Sequence, residues 1–206
     1  MPRRVGILGG TFNPPHVGHL LCASEAAARF ELDAVMLMPV AQPPHKPAPS
    51  DPGGEHRRAM CELAVTGDDR LVVSRVELDR PGPSYTIDTL RALHASAPED
   101  ELTFIAGGDM AVSLPTWREP EAVLALARVA VTERDALRRE DIAAAVAPLE
   151  GAGERIAFFD MPRLDVSSSD IRRRVAERRP IRYLVPDPVA GHIAQHGLYR
   201  AAVGVR

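Results

Sequence analysis

The stretch Gly9-Gly10-Thr11-Phe12-Asn13-Pro14-Pro15-His16-Val17-Gly18-His19 constrains this chain more than any other. It follows Val5-Gly6-Ile7-Leu8, which reads as a short buried strand, and it precedes Leu20, Ala23, Ala27 and Phe30, spaced for one face of a helix. It is therefore a strand-to-helix turn at the start of an α/β unit. Gly9 and Gly10 allow close backbone approaches that a Cβ would block, while Pro14 and Pro15 stiffen the turn and cannot donate hydrogen bonds. Backbone N–H groups at such a turn, together with a helix N-terminus, make a site for an anion. His16 and His19 are three apart, so one helical turn puts both imidazoles on the same side, at that anion. As residues alone, the pair is also compatible with half of a metal site or with two solvated side chains. No third ligand sits nearby in sequence, which leaves zinc a poor second choice.

The rest of the chain repeats the strand–helix alternation. Ala34–Pro39 reads as a second buried strand, Leu71–Ser74 as a third, Leu102–Ala106 as a fourth, Arg128–Val131 as a fifth and Ile156–Phe159 as a late one. Helices are expected over Glu55–Val65, from a Ser84 cap through Ile87, Leu90 and Leu93, over Glu121–Ala127, around Ile142, Val146 and Leu149, over Ser169–Glu177 and over Pro188–Gln195. Val76-Glu77-Leu78 is expected to continue extended, and Gly151-Ala152-Gly153 to be a loop. Strands joined by helical crossovers imply an α/β fold: a Rossmann-like, doubly wound parallel sheet of five to six strands with helices on both faces. A ligand then sits at the C-terminal edge of the strands, where the strand order reverses. The opening turn, the proline-rich loop Gln42–Pro49 and Gly107-Gly108-Asp109 all fall on that edge. We read the proline-rich loop as an active-site flap rather than a linker.

Composition narrows the partners. A chain of 206 residues, 45% hydrophobic and 26% charged, suits one α/β domain, and no repeat or domain boundary is visible. The net charge of −3 argues against broad nucleic-acid binding. No apolar run approaches the roughly 18 residues of a membrane span, and Met1-Pro2-Arg3-Arg4 leads into a strand without a signal-peptide pattern. Cys22 and Cys61 make no metal or redox motif, so both are read as reduced thiols of a cytoplasmic protein. Lys46 is the only lysine among 25 basic residues, which suggests a task for a compact ammonium rather than a planar guanidinium. The sequence leaves the oligomeric state open, a homo-oligomer included.

Gly10-Thr-Phe-Asn-Pro-Pro-His-Val-Gly-His19 resembles the His-x-Gly-His signature of the nucleotidyltransferase superfamily, and is most similar to that of bacterial nicotinate-nucleotide adenylyltransferases. That family joins ATP and nicotinate mononucleotide. Five further segments resemble it in the expected order: Pro43-Pro44-His45-Lys46, Ser84-Tyr85-Thr86-Ile87-Asp88-Thr89-Leu90, Gly107-x-Asp109, Ser167-Ser168-Ser169-Asp170-Ile171-Arg172 and His196-Gly197-Leu198-Tyr199. Gly108 departs from the alanine frequent in the family. The resemblance implies one nucleotidyltransferase domain over 1–206, with the helical segment 167–206 completing the ATP site. It implies that Gly9, Gly10, Thr11, Phe12, His16, His19, Gly107, Asp109, Ser167, Ser168, Ser169, Ile171 and Arg172 bind ATP. Thr11, Phe12, Asn13, Lys46, Tyr85, Thr86 and Trp117 would bind the mononucleotide, with Trp117 stacking on its pyridine ring and Thr86 reading its carboxylate. His16, His19 and Lys46 would be catalytic, and magnesium would arrive with ATP rather than on protein side chains. As residues alone, Ser167–Ser169 are equally ordinary helix caps, Asp109 a turn cap and Trp117 a core residue. Two other functions share the opening motif: an adenylyltransferase with nicotinamide mononucleotide or phosphopantetheine as acceptor, and a non-catalytic nucleotide sensor.

Overall fold

The computed structural model describes residues 2–42, 50–132 and 137–200. Within them β1 (Arg4–Gly10), β2 (Ala34–Pro39), β3 (Leu71–Val73), β4 (Glu101–Gly107), β5 (Ala127–Thr132) and β6 (Ile156–Phe159) form one sheet in the order β3-β2-β1-β4-β5-β6. All five pairings are parallel. Parallel neighbours need crossovers, which α1 (Val17–Arg29), α2 (Gly54–Ala64), α3 (Thr86–Ser96), α4 (Gly108–Ser113), α5 (Pro120–Leu126), α6 (Arg139–Val146) and α7 (Ala152–Arg155) supply. The order reverses between β1 and β4, so the crevice opens above Gly10 and Gly107.

Strand alternation divides the core in two. Val5, Ile7, Phe104, Val129 and Val131 pack with Ile87, Leu90, Leu114 and Leu124 on one face of the sheet. Leu8, Val35, Leu37, Ile105 and Ala130 pack with Ala23, Ala26 and Cys61 on the other. Small residues on α1 let that helix lie close to the sheet. Among the described residues no helix is long and apolar enough to cross a membrane.

Three local expectations are corrected. Val76-Glu77-Leu78 is a turn, not extended: β3 is an edge strand whose pairing ends at Leu37 and Val73, and Asp79 N–H already bonds Arg75 O at 2.9 Å. Ser84 does not cap α3; Tyr85 does, and Ser84 Oγ instead accepts the Ala41 N–H at 3.2 Å, tying two loops together. Gly151-Ala152-Gly153 enters the short helix α7, with Gly151 at φ 79°, because Leu149 and Ala152 turn inward to the core.

The chain ends by returning to its beginning. Ser167 Oγ accepts the Asp170 N–H at 3.1 Å and starts α8 (Ser168–Ala176), and α9 (Asp187–Gln195) follows. Ile171, Val189 and Ile193 pack with Met60 and Ala64 of α2. Burial of each such side chain is worth about 1.5–3 kcal/mol, against about 1 kcal/mol for a typical net hydrogen bond. Apolar burial therefore drives this docking, and hydrogen bonds set its register.

Candidate active site

The opening turn is gripped from two directions. From the C-terminal segment, Arg172 donates to Asn13 O at 2.7 Å, Ser168 Oγ donates to Pro14 O at 2.8 Å, and Tyr199 OH donates to Asn13 Oδ1 at 2.7 Å. The Val17 N–H bonds Leu184 O at 3.1 Å. From α2, Arg57 donates to Thr11 O at 2.9 Å and pairs with Asp51 at 2.9 Å, although the residue is only 1% exposed. These bonds satisfy the carbonyls of Thr11, Asn13 and Pro14. Phe12 sits at φ 48°, a strained setting for a side chain.

At the start of α1 the two histidines are paired. The His16 N–H donates to His19 Nδ1 at 3.1 Å, and the rings lie 3.7 Å apart at 31°. His16, at the N-cap, is 3% exposed; His19 is half-buried, with the Phe12 ring edge-on at 5.0 Å. Gly18 between them has a steric reason. A Cβ there would stand 3.1 Å from both His16 Nδ1 and Val166 Cγ1, so the ring and the approach to α8 share the space that a side chain would take.

A cavity of about 610 Å³ opens beside the turn and brings together Gly9, Gly10, Thr11, Tyr85, Thr86 and Trp117. That size lies within the small-ligand range of roughly 300–1,000 Å³. Trp117 follows a 3₁₀ turn over Leu114–Thr116. Its indole N–H donates to Ser113 Oγ at 3.0 Å, and Phe104 meets it edge-on at 5.7 Å and 88°, which fixes the ring plane. Tyr85 supplies no side-chain cap to α3, so the first N–H groups of that helix remain suited to an anion. Arg118 lies over the Tyr85 ring at 5.1 Å. Glu77 also lines the cavity; burial pushes its carboxyl above the usual range, against the opposing hydrogen bonds of Thr89 and Ser84.

The remaining expected residues divide. Gly107 caps α4 and Asp109, exposed in its first turn, stands at the end of β4 beside the crevice. Ser169 Oγ accepts from Arg172 at 3.2 Å, and Ser167 is occupied as a cap. Phe12, Asn13 and Ile171 are buried, so the side chains of Phe12 and Ile171 hold the turn and α8 in place, and only their backbones can face a ligand. Lys46 and the Pro43–Pro49 flap lie outside the described residues. Sequence reasoning missed Arg57, Glu77 and Arg118. Only Arg57 left a trace, an arginine spaced with Met60, Cys61 and Ala64 on the inward face of α2.

A glycine-bearing turn at the switch point, with helix N-termini facing one crevice, defines a cytidylyltransferase-like protein, and the family model of that description matches residues 7–174. A probable nicotinate-nucleotide adenylyltransferase of Roseiflexus sp. (strain RS-1) is 44% identical over 196 residues, covering 95% of this chain and 98% of that relative. Another from Thermus thermophilus is 44% identical over 197 residues, covering 96% and 100%. The chain belongs to the nicotinate-nucleotide adenylyltransferase family. The fold also matches that of a Plasmodium falciparum nicotinic acid mononucleotide adenylyltransferase complexed with NaAD, at TM-score 0.77 and 16% identity over 96% of this chain and 97% of that one.

Proposed function

We propose that this chain transfers the adenylyl group of ATP to nicotinate mononucleotide, giving nicotinate adenine dinucleotide and pyrophosphate for NAD biosynthesis. The observation that carries this reading is the cavity joining the Gly9–Thr11 turn to Thr86 and Trp117. A phosphate oxygen of the mononucleotide attacks the α-phosphorus of ATP, the bond to the β-phosphate oxygen breaks, and pyrophosphate departs. The nucleophile is already ionised, so the protein needs no strong base and acts by alignment and charge stabilisation. His19 Nε2 and the backbone N–H groups of Gly10 and Thr11 donate to phosphate oxygens, His16 orders that end of the turn, and Lys46 holds the nucleophile's phosphate. The segment 167–206 completes the ATP site through Ser168, Ser169 and Arg172, and Asp109 accepts from the ribose. The donors around the turn are N–H groups and imidazoles, matched to phosphate oxygens rather than to a hard cation, so magnesium enters as part of the ATP substrate and keeps its waters. The reaction belongs in the cytoplasm, in keeping with the reading of the two cysteines as thiols.

The start of α3 favours the nicotinate carboxylate over a neutral amide, because a hydrogen bond to a charged group is worth about 1–1.5 kcal/mol more than one to a neutral group, roughly 5- to 10-fold. Pyrophosphate release measured with ATP and each of nicotinate mononucleotide, nicotinamide mononucleotide and phosphopantetheine tests this. The acid should turn over fastest by that margin; equal use of the amide, or turnover only with phosphopantetheine, overturns the assignment.

A further inference from the structure

A second imidazole cluster lies away from the crevice. His56 is in the first turn of α2, His192 in the last turn of α9, and His196 is the residue that closes α9. His56 Nδ1 and His192 Nε2 stand 3.1 Å apart. The three rings form a closed triangle, with centroids 5.3 Å apart for His56 and His192, 4.9 Å for His56 and His196, and 4.4 Å for His192 and His196. One ring nitrogen from each lies within 4.8 Å of the other two.

We propose that His56, His192 and His196 bind one divalent transition-metal ion, zinc foremost, with water completing the shell. Zinc takes imidazole nitrogen at about 2.0–2.1 Å in tetrahedral geometry, which places ligand nitrogens about 3.3 Å apart. The His56–His192 pair already has nearly that spacing, and small side-chain rotations bring in His196. His192 and His196 are four apart, on one face at the carbonyl end of α9, where a cation is favoured. Three neutral imidazoles select zinc, nickel or copper and reject magnesium and calcium, which require oxygen ligands. The ion would fasten α2 to α9. Arg57, next to His56, holds Thr11 O, and Tyr199, just beyond α9, holds Asn13 Oδ1. The site therefore clasps the two elements that support the opening turn, and it stands independently of the substrate assignment.

The test uses the full, tag-free chain stripped with a chelator and titrated with zinc chloride by calorimetry, then with cobalt chloride by visible absorption. The expected result is one ion per chain, a cobalt spectrum of nitrogen-ligated tetrahedral type, and a Tm raised by roughly 5–10 °C at a hundredfold excess over Kd. His192→Ala should abolish all three while leaving pyrophosphate release in magnesium unchanged. His196→Gln, at an exposed position, provides a second variant that keeps the fold. No zinc binding by the parent chain overturns the proposal. So does undiminished binding by either variant, which would put the ion on other side chains, including His16 and His19.

Discussion

The backbone N–H of His16 donates to Nδ1 of His19 at 3.1 Å, and this bond decides where the His19 proton sits. A nitrogen that accepts cannot carry the proton, so the neutral ring is protonated at Nε2. The phosphate-donor role proposed for His19 requires that tautomer. His19→Ala should lower kcat by roughly 10²–10³, the usual cost of losing one such donor, with the thermal unfolding curve little changed. His19→Gln, which keeps an N–H at similar reach, should recover part of the rate. Pyrophosphate release checks both, and full activity in the alanine variant would remove His19 from the reaction.

Tyr199→Phe deletes the bond to Asn13 Oδ1 and leaves that oxygen, on a residue 2% exposed, without its donor. The cost should be about 1–3 kcal/mol, or roughly 2–10 °C in Tm for a chain of this size. Differential scanning calorimetry measures it. An unchanged Tm would mean that the turn does not depend on this contact.

Trp117→Ala should raise KM for the mononucleotide by roughly 5- to 100-fold, the equivalent of about 1–3 kcal/mol of stacking on a base, and leave KM for ATP nearly unchanged. Trp117→Phe should lose less. Initial rates with each substrate varied in turn separate the two constants. A matching rise in both would place the indole elsewhere in the reaction.

Glu77 has a folded pKa above its unfolded value of about 4.5, because it is buried. The folded state then holds this proton more tightly than the unfolded chain, so stability contributed here is lost as pH rises from the unfolded value through the folded one. Glu77→Gln removes that loss. The difference in Tm between variant and parent should move in the variant's favour as pH increases from about 4 and become flat above the folded pKa. Parallel curves over pH 4–8 would show that the carboxyl titrates normally.

Much of the fold was legible because apolar runs end sharply at turn residues: Ala34–Pro39 and Ile156–Phe159 are strands over the bounds expected from sequence. The turn that precedes α1 was legible for the same reason. Arg57 was not, since a charge in a first helical turn reads as solvated, and its partners Thr11 O and Asp51 come together only through the tertiary fold. Glu77 was missed because local apolar alternation predicts a strand, whereas the loss of a pairing partner beyond Val73 makes the chain turn. The serines after Val166 open α8 with divided structural roles that one sequence pattern does not separate: Ser167 is a cap, and Ser168 reaches Pro14 O.

Residues 13 and 14 are held by residues 168, 172 and 199, and this has a consequence during synthesis. The sheet strands leave the ribosome in order and can begin pairing, but the opening turn lacks these three contacts until residue 199 has emerged. A nascent chain that stalls between α8 and α9 would therefore carry an assembled sheet whose opening turn still lacks the Tyr199 brace.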